Sequence, residues 1–313
     1  MQAFILRRLA VSIPTLLIVT MIVFGLQLLL PGDPALVLAD ESRDPAVIEE
    51  IRERYHLNKP IPVQYAYWLG DVLRGEFGVS LRTNIPVWDM VWQKLPVTVE
   101  LAIGAMLVAL AIGIPAGIVS ALRKGTVWDH AANAVALSGL SIPNFWLGIM
   151  MILLFAVNWG VMPPGGYVSP ADSLAGNLIH MVMPAFVLGT GIAAVFMRHT
   201  RSAMLGALGA DYVRTARAKG LFERTVVMHH ALRNALMPVI TLGALEFGSL
   251  LSGAVLTETV FNIPGFGRLV VEAVFTRDYA VVQGVVLFTA TAIILLNVLA
   301  DILYYVVNPR LRG

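Results

Sequence analysis

Long apolar stretches recur along the chain at the length that a membrane-spanning helix requires. A helix needs about 20 consecutive, mostly apolar residues to cross the hydrocarbon core of a bilayer. One such stretch could be a buried helix of a soluble domain, but a set of six predicts an all-α polytopic membrane protein with six transmembrane helices. The six windows are 9–30, 101–122, 134–157, 178–197, 235–257 and 279–300.

The first window shares one feature with a secretory signal peptide, because Arg7 and Arg8 precede its apolar stretch. That stretch is longer than the roughly 7–15 apolar residues of a signal peptide, and no small-x-small cleavage site closes it. We therefore expect residues 1–30 to contain a retained N-terminus and first transmembrane helix.

Composition supports the bilayer as the solvent of this chain. Of its 313 residues, 58% are hydrophobic and 13% are charged, whereas an ordinary soluble domain has about 25% charged residues. The chain has no cysteine, which excludes disulfides, thiolate metal sites and cysteine nucleophiles. Its net charge is only +2 and its basic residues are dispersed, so we expect a lipid bilayer, and not nucleic acid, as its partner. We also expect no metal site, because the spans present no clustered metal ligands.

Basic residues are distributed unevenly between the short loops. Lys and Arg prefer the cytoplasmic side of a membrane when they are counted over short loops. Seven of them fall in the loop 198–234, whereas the loop between the third and fourth windows has none. Arg123 and Lys124 lie between the second and third windows, and Arg310 and Arg312 follow the last one. This distribution predicts that both termini are cytoplasmic.

Segment 31–95 is the one substantial part that the pattern places outside the membrane, and it has the features of an external helical segment. Asp44 is followed by a proline, which predicts an N-cap with proline in the first turn, and apolar spacing predicts a helix over 45–56. Further helices are predicted over 63–74 and 87–94. Their Tyr and Trp residues favour the headgroup region, so the segment is either a cap on the membrane or a docking surface or gate for something arriving from outside.

The loop 198–234 has a helix–glycine–helix pattern. Asp211 predicts an N-cap, good helix formers follow as far as Lys219, and Gly220 suits the left-handed position after a helix end. This helix is basic and rich in small residues, so it could enter a groove closely while its arginines pair with carboxylates. A second helix over 222–233 would lead into the fifth span. The pattern predicts a docking helix rather than a loop that contacts only lipid headgroups.

The same loop resembles the cytoplasmic motif of permeases in binding-protein-dependent ABC importers, most closely in the dipeptide, oligopeptide, glutathione and nickel branch. The general motif is Glu-Ala-Ala, three residues and then Gly; here Arg214-Thr215-Ala216 takes the first place, and Gly220 is in register. The proline that follows the motif comes later than in the general family, at Pro238. An ordered set of further segments extends the resemblance over nearly the whole chain. These segments are Pro31–Pro34, Gly75–Ser80, Pro264–Arg268, Arg277–Tyr279 and Asn308–Arg310.

The resemblance implies a type I ABC importer permease of the bacterial inner membrane, in which residues 96–313 form a five-helix core. The helix in the loop would be the coupling helix that docks on an ATPase subunit, and segment 31–95 would face a periplasmic or lipid-anchored substrate-binding protein. A second homologous permease chain, in a heterodimer, and two ATPase subunits would complete the complex. The coupling residues would be Arg214, Thr215, Ala216, Arg217, Ala218, Lys219, Gly220 and Leu221.

The residues themselves indicate transport rather than chemistry. The chain contains no Gly-x-x-x-x-Gly-Lys-Ser/Thr motif to bind nucleotide phosphates, so we expect no cofactor on this chain, and ATP and Mg on partner subunits. A charge at mid-bilayer costs roughly 2.5–3.5 kcal/mol, so Glu246 should face the bundle interior, either in the translocation path or with a structural partner. Asn144 and Asn297 are candidates for path polarity or for hydrogen bonds between helices.

Small residues and prolines in the windows predict how the helices pack. Gly113-x-x-x-Gly117 would let the second helix approach a neighbour closely. Membrane helices tolerate proline, which can kink them. The prolines in the windows are Pro14, Pro115, Pro143, Pro184 and Pro238.

Three classes of function fit such a chain. We favour a permease for short peptides; the same architecture importing glutathione or nickel is an alternative, because selectivity in such importers lies largely in the binding protein. A secondary carrier driven by an ion gradient would show inverted repeats and several intramembrane charges, whereas this chain has one mid-span carboxylate and no convincing repeat. An intramembrane enzyme is least supported, because no span presents a nucleophile–base pair or clustered metal ligands. A requirement for ATP, as opposed to collapse of transport by an ionophore alone, separates the first class from the second.

Overall fold

Helices account for most of this computed structural model, which describes residues 2–28, 35, 44–54, 56–80 and 82–307. No strand occurs among these residues, and one isolated bridge joins Val79 and Pro86. The expected all-α fold is therefore confirmed for the described part of the chain. The helices are α1 Gln2–Leu28, α2 Pro45–Arg54, α3 Ile61–Leu73, α4 Val87–Leu122, α5 Val127–Ser141, α6 Asn144–Met151, α7 Leu174–Leu208, α8 Asp211–Ala218, α9 Leu232–Gly253, α10 Val255–Val260, α11 Phe266–Phe275 and α12 Tyr279–Val307.

Fewer than six of these helices meet the length and apolarity of a membrane span. Within the described residues, Val87–Leu122, Leu174–Leu208 and Tyr279–Leu299 are long and apolar enough, and the bent pair α5–α6 would be a fourth. The first window corresponds to a shorter apolar helix, Ala10–Gly25. The window 235–257 coincides largely with α9, which is not among the described helices that are long and apolar enough to span a membrane.

The third window is not one straight helix. It falls on α5 and on α6 with its π-helical continuation Ile152–Asn158, and the two parts are bent by 96°. Ile142 and Pro143 both have extended backbone, with ψ of 120° and 133°. Proline lacks an N–H and disfavours helical geometry in the residue before it. Pro143 therefore ends one helix and precedes the next, instead of lying mid-helix as the windows predicted.

The segment predicted as a separate helix over 87–94 is the start of the 36-residue helix α4. Pro96 lies inside this helix, so the proline does not separate the segment predicted to be external from the predicted span. Trp88 and Trp92 share a face as their spacing predicts, and their ring centroids are 5.4 Å apart.

The chain forms two compact units, which we describe separately. The first comprises Pro96–Arg268 and the end of α12 from Leu295; the second comprises Gln2–Leu95 and Leu269–Ile294.

In the first unit, α4 and α7 pack closely enough to exclude a side chain at the predicted glycines. A Cβ at Gly113 would lie 2.6 Å from the carbonyl oxygen of Ala193, and a Cβ at Gly117 would lie 2.7 Å from that of Met197. Atoms at such distances overlap, so the prediction of close packing at this motif is confirmed. A core of apolar side chains that includes Leu101 continues this contact along the two helices.

In the second unit, polar and aromatic contacts join elements that are far apart in sequence. The hydroxyls of Thr20 in α1 and Tyr65 in α3 are 2.7 Å apart, and Ser80 donates a 2.6 Å hydrogen bond to Asp278.

The N-cap predicted at Asp44 is confirmed, because its Oδ1 accepts a hydrogen bond from the N–H of Ala46. The motifs at Pro31–Pro34 and Asn308–Arg310 lie outside the described residues.

Candidate coupling helix and translocation path

The short helix α8 has one buried face and one exposed face. Val213 and Ala216 are buried in an apolar cluster, whereas the Arg214 side chain is 75% exposed. We call this apolar cluster the inner cluster. It joins α8 to the ends of α4 and α7 and to the start of α9. Its buried members are Ala121, Met204, Ala207, Val213, Ala216, Val226, Val227, Ala231, Leu232 and Ala235.

The end of α8 is fixed by backbone hydrogen bonds and an ion pair. Leu221 donates its N–H to the carbonyl of Ala216, and Gly220 donates to Arg217, which is the double hydrogen bond of a Schellman motif. Gly220 has φ +78°, so the predicted left-handed position is confirmed.

Arg217 reaches across this turn to Glu223. Its Nε and Nη2 donate to the two carboxylate oxygens of Glu223 at 3.1 and 2.6 Å. The hydrogen bonds from Arg217 lower the pKa of the Glu223 carboxyl below its usual value. The pair therefore holds the tip of the loop against the end of α8 with bidentate geometry.

Apolar side chains project from this loop beside the basic ones. Phe222 is 85% exposed, and Tyr212 and Leu221 are each 41% exposed. The sequence analysis did not single out Phe222. An apolar residue shortly after a helix-ending glycine in a basic loop could have indicated an exposed docking residue. Aromatic and arginine side chains are enriched in the core of protein interfaces.

Next to the inner cluster, a group of polar side chains joins the three helices α4, α5 and α7. The Asp129 carboxylate accepts hydrogen bonds from Ser120 at 2.5 Å, the N–H of Gly125 at 2.9 Å and Asn133 at 2.9 Å. Arg201 adds two more, from Nε at 2.8 Å and from Nη2 at 2.9 Å. These five residues form the Asp129 network, which sequence reasoning missed because its members are up to 81 positions apart in the sequence.

A third centre explains the segment Pro264–Arg268. Glu258 is fully buried; it accepts a 2.5 Å hydrogen bond from Thr98 in α4 and a 2.8 Å hydrogen bond from the N–H of Arg268. The Thr98 hydroxyl in turn accepts from the N–H of Phe266 at 2.8 Å. A buried carboxylate thus lies at the N-terminus of α11, where free N–H groups and the helix dipole favour negative charge.

Two residues, Glu246 and Asn144, were predicted for the translocation path. Glu246 in α9 and Asn144 at the start of α6 are both half-buried, and no hydrogen bond joins them in the described part of the chain. Asn144 lies beside α7, since a Cβ at Gly191 would be 3.6 Å from its Oδ1. Asn297 is exposed. The path role of these residues stays a prediction.

A cavity of 630 Å³ lies between α4, α5 and α7. Its walls are almost entirely apolar and include Pro115, Val135, Phe186 and Ala194. Neither Glu246 nor Asn144 lines it.

Outside the helices, Tyr167 in the segment between α6 and α7 donates a 2.9 Å hydrogen bond to Glu100. Burial, together with this hydrogen bond, raises the pKa of Tyr167 to about 12. Among the described residues, no group of three or more His, Asp and Glu side chains could hold a metal ion.

Two family models match the chain over most of its length. Residues 113–313 match the binding-protein-dependent transport system inner membrane component, and residues 1–102 match the N-terminal part of that membrane component. The chain belongs to this family of permeases. The resemblance inferred from the cytoplasmic motif is thereby confirmed.

Curated relatives match the permease from end to end. The dipeptide transport system permease protein DppB of Escherichia coli strain K12 is 44% identical over 336 residues, which cover 100% of this chain and 99% of the relative. The di/tripeptide transport system permease protein DppB of Pseudomonas aeruginosa is also 44% identical, with coverage of 100% and 99%. The oligopeptide transport system permease protein AppB of Bacillus subtilis is 41% identical, with 100% of both chains covered.

Solved structures show the same fold. A chain of the inward-facing MetNI methionine ABC transporter has a TM-score of 0.58 at 17% identity, over 70% of the permease and 96% of that chain. A chain in the crystal structure of an amino acid ABC transporter with histidines has a TM-score of 0.52 at 12% identity, with coverage of 69% and 93%. The expected ABC importer permease fold is therefore confirmed.

Several details of the predicted loop are wrong for this permease. Asp211 is not the N-cap: Ala210 has that position without a side-chain hydrogen bond, and Asp211 is in the first turn. The helix α7 continues to Leu208, so the loop predicted from residue 198 begins later, and Arg201 is paired inside the bundle. The second helix predicted over 222–233 is confirmed, because the chain is helical from Glu223 and leads directly into α9, although its middle part, Val226–Ala231, is π-helical.

The eight predicted coupling residues divide into three groups. Ala216 faces the inner cluster, so its small side chain serves packing within the permease. Gly220 shapes the turn, as described above. The other six are exposed on α8 or on the turn that follows it: Arg214, Thr215, Arg217, Ala218, Lys219 and Leu221.

Proposed function

We propose that this chain is the membrane subunit through which short peptides pass in an ATP-driven importer. Its curated relatives carry the names of dipeptide, di/tripeptide and oligopeptide permeases. Glutathione and nickel remain alternatives within the same architecture. ATP and Mg would be bound by partner subunits, and this chain would hold no cofactor.

We further propose the assembly in which the permease works. It would pair with a second, homologous permease chain as a heterodimer, with two ATPase subunits at the cytoplasmic face. A periplasmic or lipid-anchored substrate-binding protein would deliver the peptide to segment 31–95. The complex would be a multi-pass assembly of the bacterial inner membrane, with both termini of this chain in the cytoplasm.

The two-faced arrangement of α8 carries this proposal. One face of α8 is anchored in the inner cluster, whereas Arg214 and Tyr212 are exposed on the rest of the helix. Phe222 is exposed on the turn that follows α8. A helix that is fixed on one side and exposed on the other can transmit a push from a docked partner. Aromatic and arginine side chains are also the types that dominate binding energy at interfaces.

Replacement of Phe222 by alanine tests the docking surface. Phe275 in α11 is a matched control, since it is 83% exposed and Phe222 is 85% exposed. Truncation of a central interface residue costs about 2 kcal/mol or more, which is roughly 30-fold in affinity. We expect Phe222→Ala to lower the recovery of ATPase subunits with the purified permease, while Phe275→Ala leaves it unchanged; an equal recovery in both variants would contradict the docking role.

Uptake by proteoliposomes tests the substrate and the energy source. The purified complex and its binding protein should import a radiolabelled dipeptide when ATP is present on the cytoplasmic side. An ionophore should leave this uptake intact. Uptake that continues without ATP and collapses with the ionophore would favour the secondary carrier, and uptake of labelled glutathione or nickel alone would favour those substrates.

A further inference from the structure

The Asp129 network lies where the coupling helix meets the bundle. Arg201 precedes the end of α7 at Leu208 by seven residues, or about 10 Å of helix. Met204 and Ala207, in that same stretch of α7, belong to the inner cluster in which α8 is anchored. The last turns of α7 therefore hold α8 through apolar contacts and hold Asp129 through an ion pair.

On the other side of the ion pair is the bent pair α5–α6. Asp129 is in the first turn of α5, and Asn133, one turn later, donates to both the side chain and the backbone carbonyl of Asp129. The helix continues to Ser141, where the 96° bend begins. The ion pair is thus located at the end of α5 that is farthest from the bend.

We propose that the Asp129–Arg201 ion pair is a positioning element that transmits displacement of the coupling helix to the bent pair α5–α6. This inference rests on the proposed function. When a docked partner moves α8, the inner cluster moves the end of α7 with it. The bidentate ion pair then carries α5 along with α7, so that the angle between α5–α6 and its neighbours changes.

The geometry of the pair suits such a role. Two parallel hydrogen bonds between a guanidinium and a carboxylate resist both sliding and rotation, which a single contact does not. The Asp129 side chain is 4% exposed and that of Arg201 is 26% exposed, so the pair is shielded from competing water. The hydrogen bonds from Ser120 and Gly125 fix the carboxylate further, because they come from the end of α4 and from the loop that connects it to α5.

A buried ion pair can also serve only to neutralise its own charges, and the test must separate the two roles. Removing one partner leaves an unpaired charge and destabilises a protein by itself, whereas replacing both is often neutral. The double variant Asp129→Asn with Arg201→Gln removes both charges; the Asn amide oxygen can still accept from the N–H of Gly125, and its NH2 group can donate to the Ser120 hydroxyl. We would compare it with the wild type and with Asp172→Asn, which makes the same change at an exposed position between α6 and α7.

The measurement is dipeptide uptake per ATP hydrolysed, by the complete complex with its binding protein in proteoliposomes. Coupling between two sites is typically worth a factor of 5–150, so we expect uptake per ATP to fall about tenfold in the double variant. Basal hydrolysis should change less than about twofold, since α8 and its docking face are intact. Asp172→Asn should match the wild type in both quantities.

Other outcomes would overturn the proposal. If the double variant transports as much peptide per ATP as the wild type, the ion pair only neutralises charge. The conclusion is the same if uptake and hydrolysis both fall in equal proportion, because the uptake that each hydrolysed ATP supports is then unchanged. Arg201→Lys adds a second test, because it keeps the charge without the bidentate geometry: uptake per ATP at the wild-type value in that variant would also contradict the positioning role. If the wild-type complex imports no peptide, the proposed function fails before the ion pair is tested.

Discussion

At the residue scale, the segment Pro264–Arg268 shows how a buried carboxylate dictates its neighbours. Glu258 needs hydrogen-bond donors because an unpaired buried carboxylate would be costly. Thr98 and the N–H of Arg268 supply them, and the backbone of Gly265 passes close to the carboxyl group. A Cβ at Gly265 would overlap the carboxyl carbon of Glu258. Glycine at this position is thus a consequence of Glu258.

Replacement of Gly265 by alanine should therefore destabilise the permease. The added methyl group must displace Glu258 from Thr98, and overpacking of this kind costs about 1–3 kcal/mol or more. We expect a lower unfolding temperature for Gly265→Ala in detergent. The matched control is Gly70→Ala in α3, where nothing lies within 4 Å of the new Cβ and alanine stabilises a helix by about 0.5–1 kcal/mol. If Gly265→Ala also unfolds at the wild-type temperature or above it, the site accommodates the methyl group without displacing Glu258 from Thr98.

At the scale of the element, apolar patterning predicted which segments are helical but not where they bend or join. The windows located α4, α7 and α12 because a long run of apolar residues is sufficient to predict a membrane helix. The joining of the external helix over 87–94 to the second span as α4 could not be predicted, since Pro96 is a typical helix-ending signal and is tolerated here. The coupling helix was predicted from its motif, but the division between buried Ala216 and exposed Phe222 depends on contacts with α7 and α9. Arg201 is 72 positions from Asp129, and Thr98 is 160 positions from Glu258, so no local pattern reveals these two contacts.

The bend between α5 and α6 provides a prediction at this scale. Pro143→Ala restores an N–H and removes the constraint on Ile142, so we expect the helix to straighten. Spin labels on cysteines at Val135 and Val157, which are 72% and 66% exposed, would measure this by electron paramagnetic resonance. With a 1.5 Å rise per residue and the 96° bend, the backbone positions are about 23 Å apart, against about 33 Å in a straight helix.

The chain has no native cysteine, so only the introduced pair would be labelled. Pro164→Ala, in the loop after the pair, is the control that should leave the distance unchanged. A distance that stays near 23 Å in Pro143→Ala would mean that packing against α7, and not the proline, maintains the bend.

At the scale of the whole molecule, the number of membrane crossings depends on the bent pair. If α5–α6 crosses the bilayer as one broken span, the loop before it and the loop after it lie on opposite sides. If the pair is a re-entrant loop, both lie on the same side. The uneven distribution of Lys and Arg favours opposite sides, because Arg123 and Lys124 precede α5 and no basic residue lies between α6 and α7.

Single cysteines at Lys124 and Asp172 would decide between these topologies, since both positions are exposed. We expect a membrane-impermeant maleimide added outside right-side-out membrane vesicles to label Asp172→Cys but not Lys124→Cys. Permeabilised membranes should allow labelling of both, which controls for sites covered by a partner. Labelling of both from outside, or of neither, would make α5–α6 a re-entrant loop. The Asp129–Arg201 pair would then act on a loop that enters and leaves the membrane on the same side. The number of crossings between segment 31–95 and the cytoplasmic loop that contains α8 would also change by one, so the assignment of that segment to the external side would no longer follow.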